Sequence, residues 1–400
     1  MPHMRFAHLA DIHLGGWREP KLREINAKAF SKAVDACIEA NVDFIVIAGD
    51  LFNNSLPSLD SLKLAVTKFK QLKDKGISIY IVSGSHDYSP SGKTMLDVLE
   101  GAGLVHNVAR AIEKNGKLTL QFTKDNKTSA YIAGLPGRKG TLEKSYYEAL
   151  DREIRQQGYK IFVFHTAISE FKPEEEIESA PLSSLPKGFD YYAGGHVHSV
   201  FQAEESGYGM IAFPGPLFPN NFKELEELGR GGFFLVDNGK AEWQPVQVAN
   251  TFSINLDCNH KTPEEIESGL LNAIKNKEFN ETLVTIRLYG TLRAGKPSEV
   301  DLKNFFAELY GKSAIFVMKN TTKLVAKGFE EVKVEQASVE EIEHRIIKEH
   351  LGQFKTFTPE QEQRLAKELM HILSSEKDEG EKVNEFSKRL VSEVDRILLD

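Results

Sequence analysis

The sequence has few of the features that mark secreted or membrane proteins. It contains two cysteines in 400 residues, Cys37 and Cys258, which lie far apart and outside any CxxC pattern. This excludes a disulfide scaffold and a thiolate zinc site, and we expect both thiols to be buried. No apolar run approaches the roughly 18 residues of a membrane span, and the N-terminus lacks the regions of a signal peptide. We therefore expect a cytoplasmic protein with no membrane association.

The sequence also lacks an excess of basic residues. The chain has 58 acids against 50 bases, a net charge of −8, so its composition gives no hint of a nucleic-acid or anionic-membrane partner. The imbalance is uneven, because residues 338–400 hold 15 acids and 10 bases whereas residues 251–337 hold 12 of each. Together with the periodicity described next, this divides the chain into segments 1–250, 251–335 and 336–400.

Short apolar strands alternate with helical stretches over the first 250 residues. The predicted strands are Arg5–Ala10, Phe44–Ala48, Ile77–Ser83, Ala130–Gly134, Ile161–Phe164 and Tyr191–Gly194. The predicted helices between them are Lys21–Ala40, Leu59–Lys75 and Leu142–Gln157. A strand-rich run follows between residues 210 and 248. This order predicts an α/β fold, a two-sheet sandwich flanked by helices, followed by a small α/β module at 251–335 and a C-terminal helical segment at 336–400.

Polar side chains follow the predicted strands at their carboxyl ends, where ligands bind in α/β folds. A glycine precedes three of them and lets the chain turn sharply there. The residues at these strand ends are Asp11, His13, Asp50, Ser85, His86, Asp87, His165, His196 and His198. Each motif alone is a weak signal, but their common position predicts a metal site. Imidazole and carboxylate ligands without thiolate fit Mn²⁺ or Fe²⁺, and Zn²⁺ stays open.

The central carboxylate in this order suggests two ions rather than one. Asp50 has two oxygens and can bridge a pair of cations. In-line displacement at phosphorus places negative charge on both the attacking and the leaving oxygen. Two ions suit this reaction because they can neutralise both charges. The sequence therefore predicts a phosphoesterase with two divalent ions as cofactors, Mn²⁺ or Fe²⁺, with Mg²⁺ or Zn²⁺ possible.

Five segments resemble motifs of the calcineurin-like metallophosphoesterases, and within them the SbcD-type nuclease subunits of double-strand-break repair complexes. In chain order these segments are FAHLADIHLG, GDLFNNSLP, GSHD, FVFHT and GGHVHS. The resemblance implies a Mn-dependent exonuclease and endonuclease that processes DNA double-strand breaks, with the following ligands. One ion is held by Asp11, His13, Asp50 and His198, and the second by Asp50, Ser85, His165 and His196. His86 protonates the leaving group or stabilises the pentacovalent phosphorus, and Asp87 hydrogen-bonds His86.

Ser85 departs from the family pattern. The family turn is usually Gly-Asn-His-Asp, and the Asn carbonyl oxygen ligates the second ion. A hydroxyl is a weaker ligand, so the second site either tolerates Ser85 with lower affinity or is altered. An altered site would leave a slow enzyme or a scaffold that regulates an ATPase. A metallophosphodiesterase for small substrates is the other alternative.

The resemblance also implies partners. Segment 251–335 would be a capping domain that orients DNA ends. Segment 336–400 would bind the coiled-coil base of an SbcC-type, SMC-like ATPase, and the complex would be associated with the nucleoid. Two copies of the chain pair through helices near 59–75 and 93–101. The candidate DNA contacts are Arg287, Arg293, Lys296, Lys319, Lys323 and Lys327. From the residues alone, these bases are equally well explained as ordinary surface charges. Docking of the tail helices on their own domain is the alternative to the ATPase partner, which we favour.

Overall fold

The computed structural model describes residues 3–89, 94–114, 116–137, 142–173, 175, 177–326, 347, 358–375, 377, 381 and 383–399. The chain forms two compact units. The first comprises Met1–Asp257, Glu264–Tyr289 and Val300–Lys323, and the second comprises Cys258–Pro263, Gly290–Glu299 and Leu324–Asp400. The domain boundaries expected at residues 250 and 335 stay a prediction.

Two six-stranded sheets form the centre of the first unit. One sheet contains β1 (Arg5–Leu9), β2 (Phe44–Ala48), β3 (Ser78–Val82), β4 (His106–Asn107), β15 (Gly231–Asp237) and β16 (Lys240–Val246), in the order β16-β15-β1-β2-β3-β4. The other contains β7 (Thr123–Lys124), β8 (Tyr131–Gly134), β9 (Lys160–His165), β12 (Tyr191–Gly195), β13 (Phe201–Glu204) and β14 (Met210–Phe213), in the order β13-β14-β12-β9-β8-β7. The sandwich predicted from the sequence is confirmed.

Three smaller sheets contain the remaining strands of the described residues. They are a hairpin of β5 (Ala111–Lys114) and β6 (Lys117–Leu120), a pair of β10 (Ala167–Ile168) and β11 (Ser179–Ala180), and a sheet of β17 (Asn250–Asp257), β18 (Thr282–Thr291) and β19 (Ala314–Val325). The helices are α1 (Pro20–Glu39), α2 (Leu59–Asp74), α3 (Met95–Gly101), α4 (Leu142–Ala149), α5 (Phe222–Leu228), α6 (Pro263–Ile274), α7 (Leu302–Gly311), α8 (Pro359–Leu373) and α9 (Val383–Leu399).

The central strands are parallel and buried on both faces. β1, β2 and β3 pair in parallel, as do β8, β9, β12 and β14 in the second sheet. Every residue of β2 is buried, which explains why it is a continuous apolar run instead of an alternating one. Because the strands are parallel, their carboxyl ends share one edge of each sheet, and the polar loops meet there.

Aromatic side chains fill the space between the two sheets. Phe6 stacks on Phe44 with ring centroids 5.0 Å apart, and Tyr191 of the opposite sheet meets Phe6 edge-on at 5.2 Å. The buried His8 imidazole crosses the same interface, with Nδ1 3.0 Å from the Tyr191 hydroxyl oxygen. Burial lowers the pKa of His8 to about 3, so this ring is a neutral hydrogen-bonding group of the core.

The helix predicted at Leu142–Gln157 is wrong in its second half, since α4 ends at Ala149. Leu150 forms an isolated bridge with Leu118 of β6, and the Asp151 amide donates to the Leu118 carbonyl oxygen. Tertiary pairing with the hairpin thus overrides the helical pattern. The hairpin itself was not predicted, although the Asn-Gly dipeptide between its strands is a known turn signal.

The helices predicted for the tail are confirmed where the tail is described. Thr358 accepts a hydrogen bond from the Gln361 amide and opens α8 with a capping box, and α9 packs against α8. The helix expected to open at Ser338 lies outside the described residues. Among the described helices, none combines the length and the apolar character that crossing a bilayer would require.

The bond between the sheets gives a stability prediction. Tyr191→Phe removes the hydroxyl that pairs with His8 Nδ1, and His8 Nε2 has no well-oriented hydrogen bond to compensate. We expect the free energy of unfolding to fall by about 1–3 kcal/mol in chemical denaturation, because a buried polar atom is left unpaired. Tyr289→Phe, at an exposed tyrosine, should change it by less than about 0.5 kcal/mol. Equal stability of both variants would contradict this account.

Candidate metal centre

The predicted ligands all lie at the carboxyl ends of parallel strands. Asp11 and His13 follow β1, Asp50 follows β2, His165 is the last residue of β9, and the loops after β3 and β12 carry the others. Asp11, His13, Asp50 and His196 have positive φ values of 50°, 46°, 52° and 84°. This left-handed backbone is unfavourable for residues with a Cβ, and the surrounding fold must hold it in place.

Close approach of the loops explains two of the glycines. A Cβ on Gly84 would lie 2.1 Å from Asp50 Oδ1, and one on Gly195 would lie 1.9 Å from the Ala48 carbonyl oxygen. No side chain fits at either position. The glycines therefore let the loops after β3 and β12 approach the end of β2 closely.

Backbone amides anchor the two buried carboxylates. The His196 amide donates to both oxygens of Asp11 at 3.0 and 3.1 Å, and the His86 amide donates to Asp50 Oδ1 at 2.8 Å. The Ser85 hydroxyl donates to Asp50 Oδ2 at 3.5 Å. Each carboxylate is thus fixed by a residue from a different loop, with lone pairs left for another partner.

Three overlapping groups of ligand atoms surround these carboxylates, with the atoms of each group within 4.8 Å of one another. They are Asp11, His13 and His198; His13, Asp50 and His86; and Asp11, Asp50 and His165. Asp50 belongs to two of them, as do Asp11 and His13, and Asp50 Oδ2 lies 3.7 Å from His13 Nε2 and 3.2 Å from His165 Nε2. The remaining predicted ligands lie alongside: Ser85 contacts Asp50, and the His196 ring centroid is 5.1 Å from that of His165. Their roles as ligands of the second ion stay predictions.

The histidine tautomers fit a cation. His165 Nδ1 lies 2.8 Å from the Ala48 carbonyl oxygen, which accepts only, so the proton of a neutral ring is placed on Nδ1. His165 Nε2 is buried without a well-oriented hydrogen bond, 3.2 Å from Asp50 Oδ2. A buried lone pair beside a buried carboxylate is an arrangement that a divalent ion satisfies.

The pKa shifts report a negative potential. Burial alone would lower the pKa of both His165 and His198, but Asp50 raises that of His165 to about 9, and Asp11 with Glu224 raises that of His198 to about 10. Burial lowers the pKa of His13 and His196 to about 4, which keeps these rings neutral and able to ligate. The potential that would protonate two imidazoles also attracts divalent cations.

The expected hydrogen bond between Asp87 and His86 is wrong. The Asp87 carboxylate accepts from the amides of Leu51, Phe52 and Gly84 at 3.0–3.2 Å, which uses its oxygens. His86 Nδ1 instead lies 2.8 Å from the Asn53 carbonyl oxygen. Burial and the nearby Asp50 raise the pKa of Asp87 to about 6. Asp87 therefore fixes the β2 and β3 loops relative to each other.

Two supporting groups were missed from the sequence. One is the Asn53 carbonyl, which carries no side-chain signal. The other is Glu224, whose Oε1 lies 2.9 Å from His198 Nδ1. Glu224 follows Asn221 by three residues, the spacing of a helix cap, and this was the available signal.

The basic residues predicted to contact DNA differ in whether their side chains are already paired within the chain. Arg287 forms a two-point bond with Glu226 at 2.6–3.0 Å and lies over the Phe222 ring. Its guanidinium is therefore engaged within the chain. Lys327 lies outside the described residues, and the contacts expected from the other bases stay predictions.

A shared carboxylate gives a metal-binding prediction. Asp50→Asn removes the charge common to two ligand groups, so we expect the chain to lose at least one of two bound Mn²⁺ ions in isothermal titration. Asp74→Asn, at an exposed acid ending α2, serves as the matched control and should bind as the wild type does. Two ions retained by Asp50→Asn at wild-type affinity would contradict the bridging role.

Comparison with known proteins identifies the domain. The calcineurin-like phosphoesterase family matches residues 4–200. "DNA double-strand break repair protein Mre11" of Methanopyrus kandleri is 33% identical over 260 residues, covering 61% of this chain and 57% of that protein. Its namesake in Archaeoglobus fulgidus is 28% identical over 406 residues, covering 94% and 82%. The solved structure of TT1561 of Thermus thermophilus has a TM-score of 0.41 and 17% identity, covering 61% of this chain and all of that one. Residues 4–200 of the chain therefore match the calcineurin-like phosphoesterase family, and the chain spans 57% of the length of the Methanopyrus kandleri protein.

Proposed function

We propose that the chain is the nuclease subunit of a DNA double-strand-break repair complex and hydrolyses phosphodiesters with two Mn²⁺ ions. The position of Asp50 carries the proposal, because Oδ2 of this buried carboxylate lies 3.7 Å from His13 Nε2 and 3.2 Å from His165 Nε2, the predicted ligands of two different ions. Fe²⁺, Mg²⁺ and Zn²⁺ fit the same donors and stay alternatives.

The ligands divide between the two ions as the family resemblance implies. Asp11, His13, Asp50 and His198 would hold one ion, and Asp50, Ser85, His165 and His196 the other. Bound divalent ions would neutralise the negative charge that develops on the attacking and leaving oxygens of a phosphodiester. The remaining steps of the hydrolysis depend on side chains of the protein itself.

His86 is the group that meets the scissile phosphate. Its ring is half-buried and lies 4.8 Å, centroid to centroid, from that of His13, so it stands beside the ligands with one edge toward solvent. The Asn53 carbonyl holds a proton on Nδ1, which directs Nε2 away from the loop. A protonated Nε2 would donate to the leaving oxygen. Asp87 acts by positioning, since its three amide contacts fix the turn that presents His86.

DNA is the substrate that the relatives favour. Two Mre11 proteins named for DNA double-strand-break repair align with this chain, one of them over 94% of its length. His86, His196 and His198 are partly exposed, whereas Asp11, Asp50 and His165 are buried, so the ligand cluster is open on one side. A phosphodiester backbone would approach from that side.

Two exposed apolar faces support the proposed partners. α8 and α9 leave Leu373 and Val391 at 66% and 60% exposure, which suits docking of segment 336–400 on the coiled coil of an SMC-like ATPase. Leu59 at the start of α2 and Val98 on α3 are 82% and 56% exposed, which suits pairing of two copies. A cytoplasmic, nucleoid-associated location follows from this function and stays a prediction.

The nuclease activity can be tested directly. With Mn²⁺, the purified chain should degrade linear duplex DNA, and His86→Ala should reduce the rate at least about 100-fold because a general acid is lost. His106→Ala is the matched control, since this histidine lies in β4 and stacks on Tyr80 away from the ligand groups. Circular dichroism of both variants checks that they fold.

Other outcomes select the alternatives. Cleavage of small chromogenic phosphodiesters without any cleavage of DNA would contradict the nuclease proposal and favour the small-substrate enzyme. Ser85 is the residue that motivates the scaffold alternative, because its hydroxyl replaces the amide of the family turn. An inactive wild type that gains activity as Ser85→Asn would favour the scaffold.

The partner proposal has its own test. Truncation after Glu335 should abolish co-purification with the SMC-like ATPase and leave metal-dependent cleavage intact. The double variant Leu373→Glu and Val391→Glu should do the same by charging the exposed apolar face, whereas Ser387→Glu on an exposed position of α9 should not. Co-purification that survives the truncation would refute docking through this segment.

A further inference from the structure

Both oxygens of the Glu224 carboxylate are used. Oε1 lies 2.9 Å from His198 Nδ1, and Oε2 accepts from the Asn220 backbone amide at 2.7 Å. The carboxylate therefore stands directly behind one of the predicted metal ligands and is held there by a backbone amide.

The first turn of α5 holds this carboxylate in place. The Asn221 side chain accepts a hydrogen bond from the Glu224 amide at 2.9 Å, and its amide group donates back to Oε1. Leu225, the next residue, is buried in the core and anchors the helix. Glu224 has little freedom to turn away from His198.

A carboxylate behind an imidazole decides which ring nitrogen is free. An ionised carboxylate only accepts, so His198 must carry a proton on Nδ1. The other nitrogen, Nε2, then faces Asp11 Oδ1 at 3.6 Å and His13 Nε2 at 3.2 Å. This is the orientation that a metal-binding histidine needs, and the carboxylate also increases the basicity of Nε2.

We propose that Glu224 is a positioning residue for the ion held by Asp11, His13 and His198. The inference rests on the proposed two-ion site and adds the group that orients one ligand within it. His165, on the other ion, is oriented by the neutral carbonyl of Ala48 at 2.8 Å. The two ions therefore depend on different supports, and loss of Glu224 weakens one of them selectively.

Glu224→Gln tests the selectivity. A glutamine has one acceptor oxygen for the two donors, His198 Nδ1–H and the Asn220 amide, and its NH₂ group cannot accept. Titration of the full chain with Mn²⁺ should show one of the two ions bound about 10–100-fold more weakly and the other unchanged. Glu227→Gln on the exposed side of α5 removes the same charge and should leave both affinities unchanged.

A metal-free readout separates positioning from folding. In ring-nitrogen NMR of the EDTA-treated chain, the His198 Nδ1–H should exchange with solvent faster in Glu224→Gln than in Glu227→Gln, at equal thermal midpoints, because its hydrogen bond to the carboxylate is weakened. Equal exchange of this Nδ1–H and equal Mn²⁺ affinities would overturn the inference. Loss of both ions together with a lower midpoint would also overturn it, because Glu224 would then act only on folding. A wild type that binds fewer than two ions would instead refute the two-ion site itself.

Discussion

The structure of the site depends on the burial of two carboxylates, Asp11 and Asp50, at the point where two sheets end side by side. Both are at most 2% exposed, and a buried unpaired anion is strongly unfavourable. Backbone amides from the loops after β3 and β12 partly compensate them, and imidazoles surround the rest. In the proposed function, a pair of divalent cations would complete the compensation and provide the site of phosphoester hydrolysis.

The same constraint accounts for the shape of the loops. To bring backbone amides and ring nitrogens onto the carboxylates, four of the predicted ligand residues adopt positive φ, and glycines permit contacts that no Cβ would allow. The net charge of −8 is a poor guide to the partners of such a protein. Part of the negative charge lies in the acidic tail, and part belongs to carboxylates that cations would neutralise.

The two-sheet fold and the strand-end position of the ligands follow from the sequence, because apolar runs such as Phe44–Ala48 define parallel strands whose ends must converge. Contacts that cross between loops do not follow. The partner of His86 is the Asn53 carbonyl oxygen and not the predicted Asp87 carboxylate. This contact was missed because backbone acceptors have no sequence signature. Glu224 was missed because its distance from His198 along the chain hides their contact. The end of α4 was missed because pairing with β6 overrides helical periodicity.

The most direct test of the account is the position of bound metal. Anomalous diffraction from crystals of the full chain grown with Mn²⁺ should show two peaks in the cluster, both in contact with Asp50. One peak should also touch Asp11, His13 and His198, and the other His165. A single peak, or two peaks of which neither contacts Asp50, would contradict the claim that this buried carboxylate organises a two-ion phosphoesterase site.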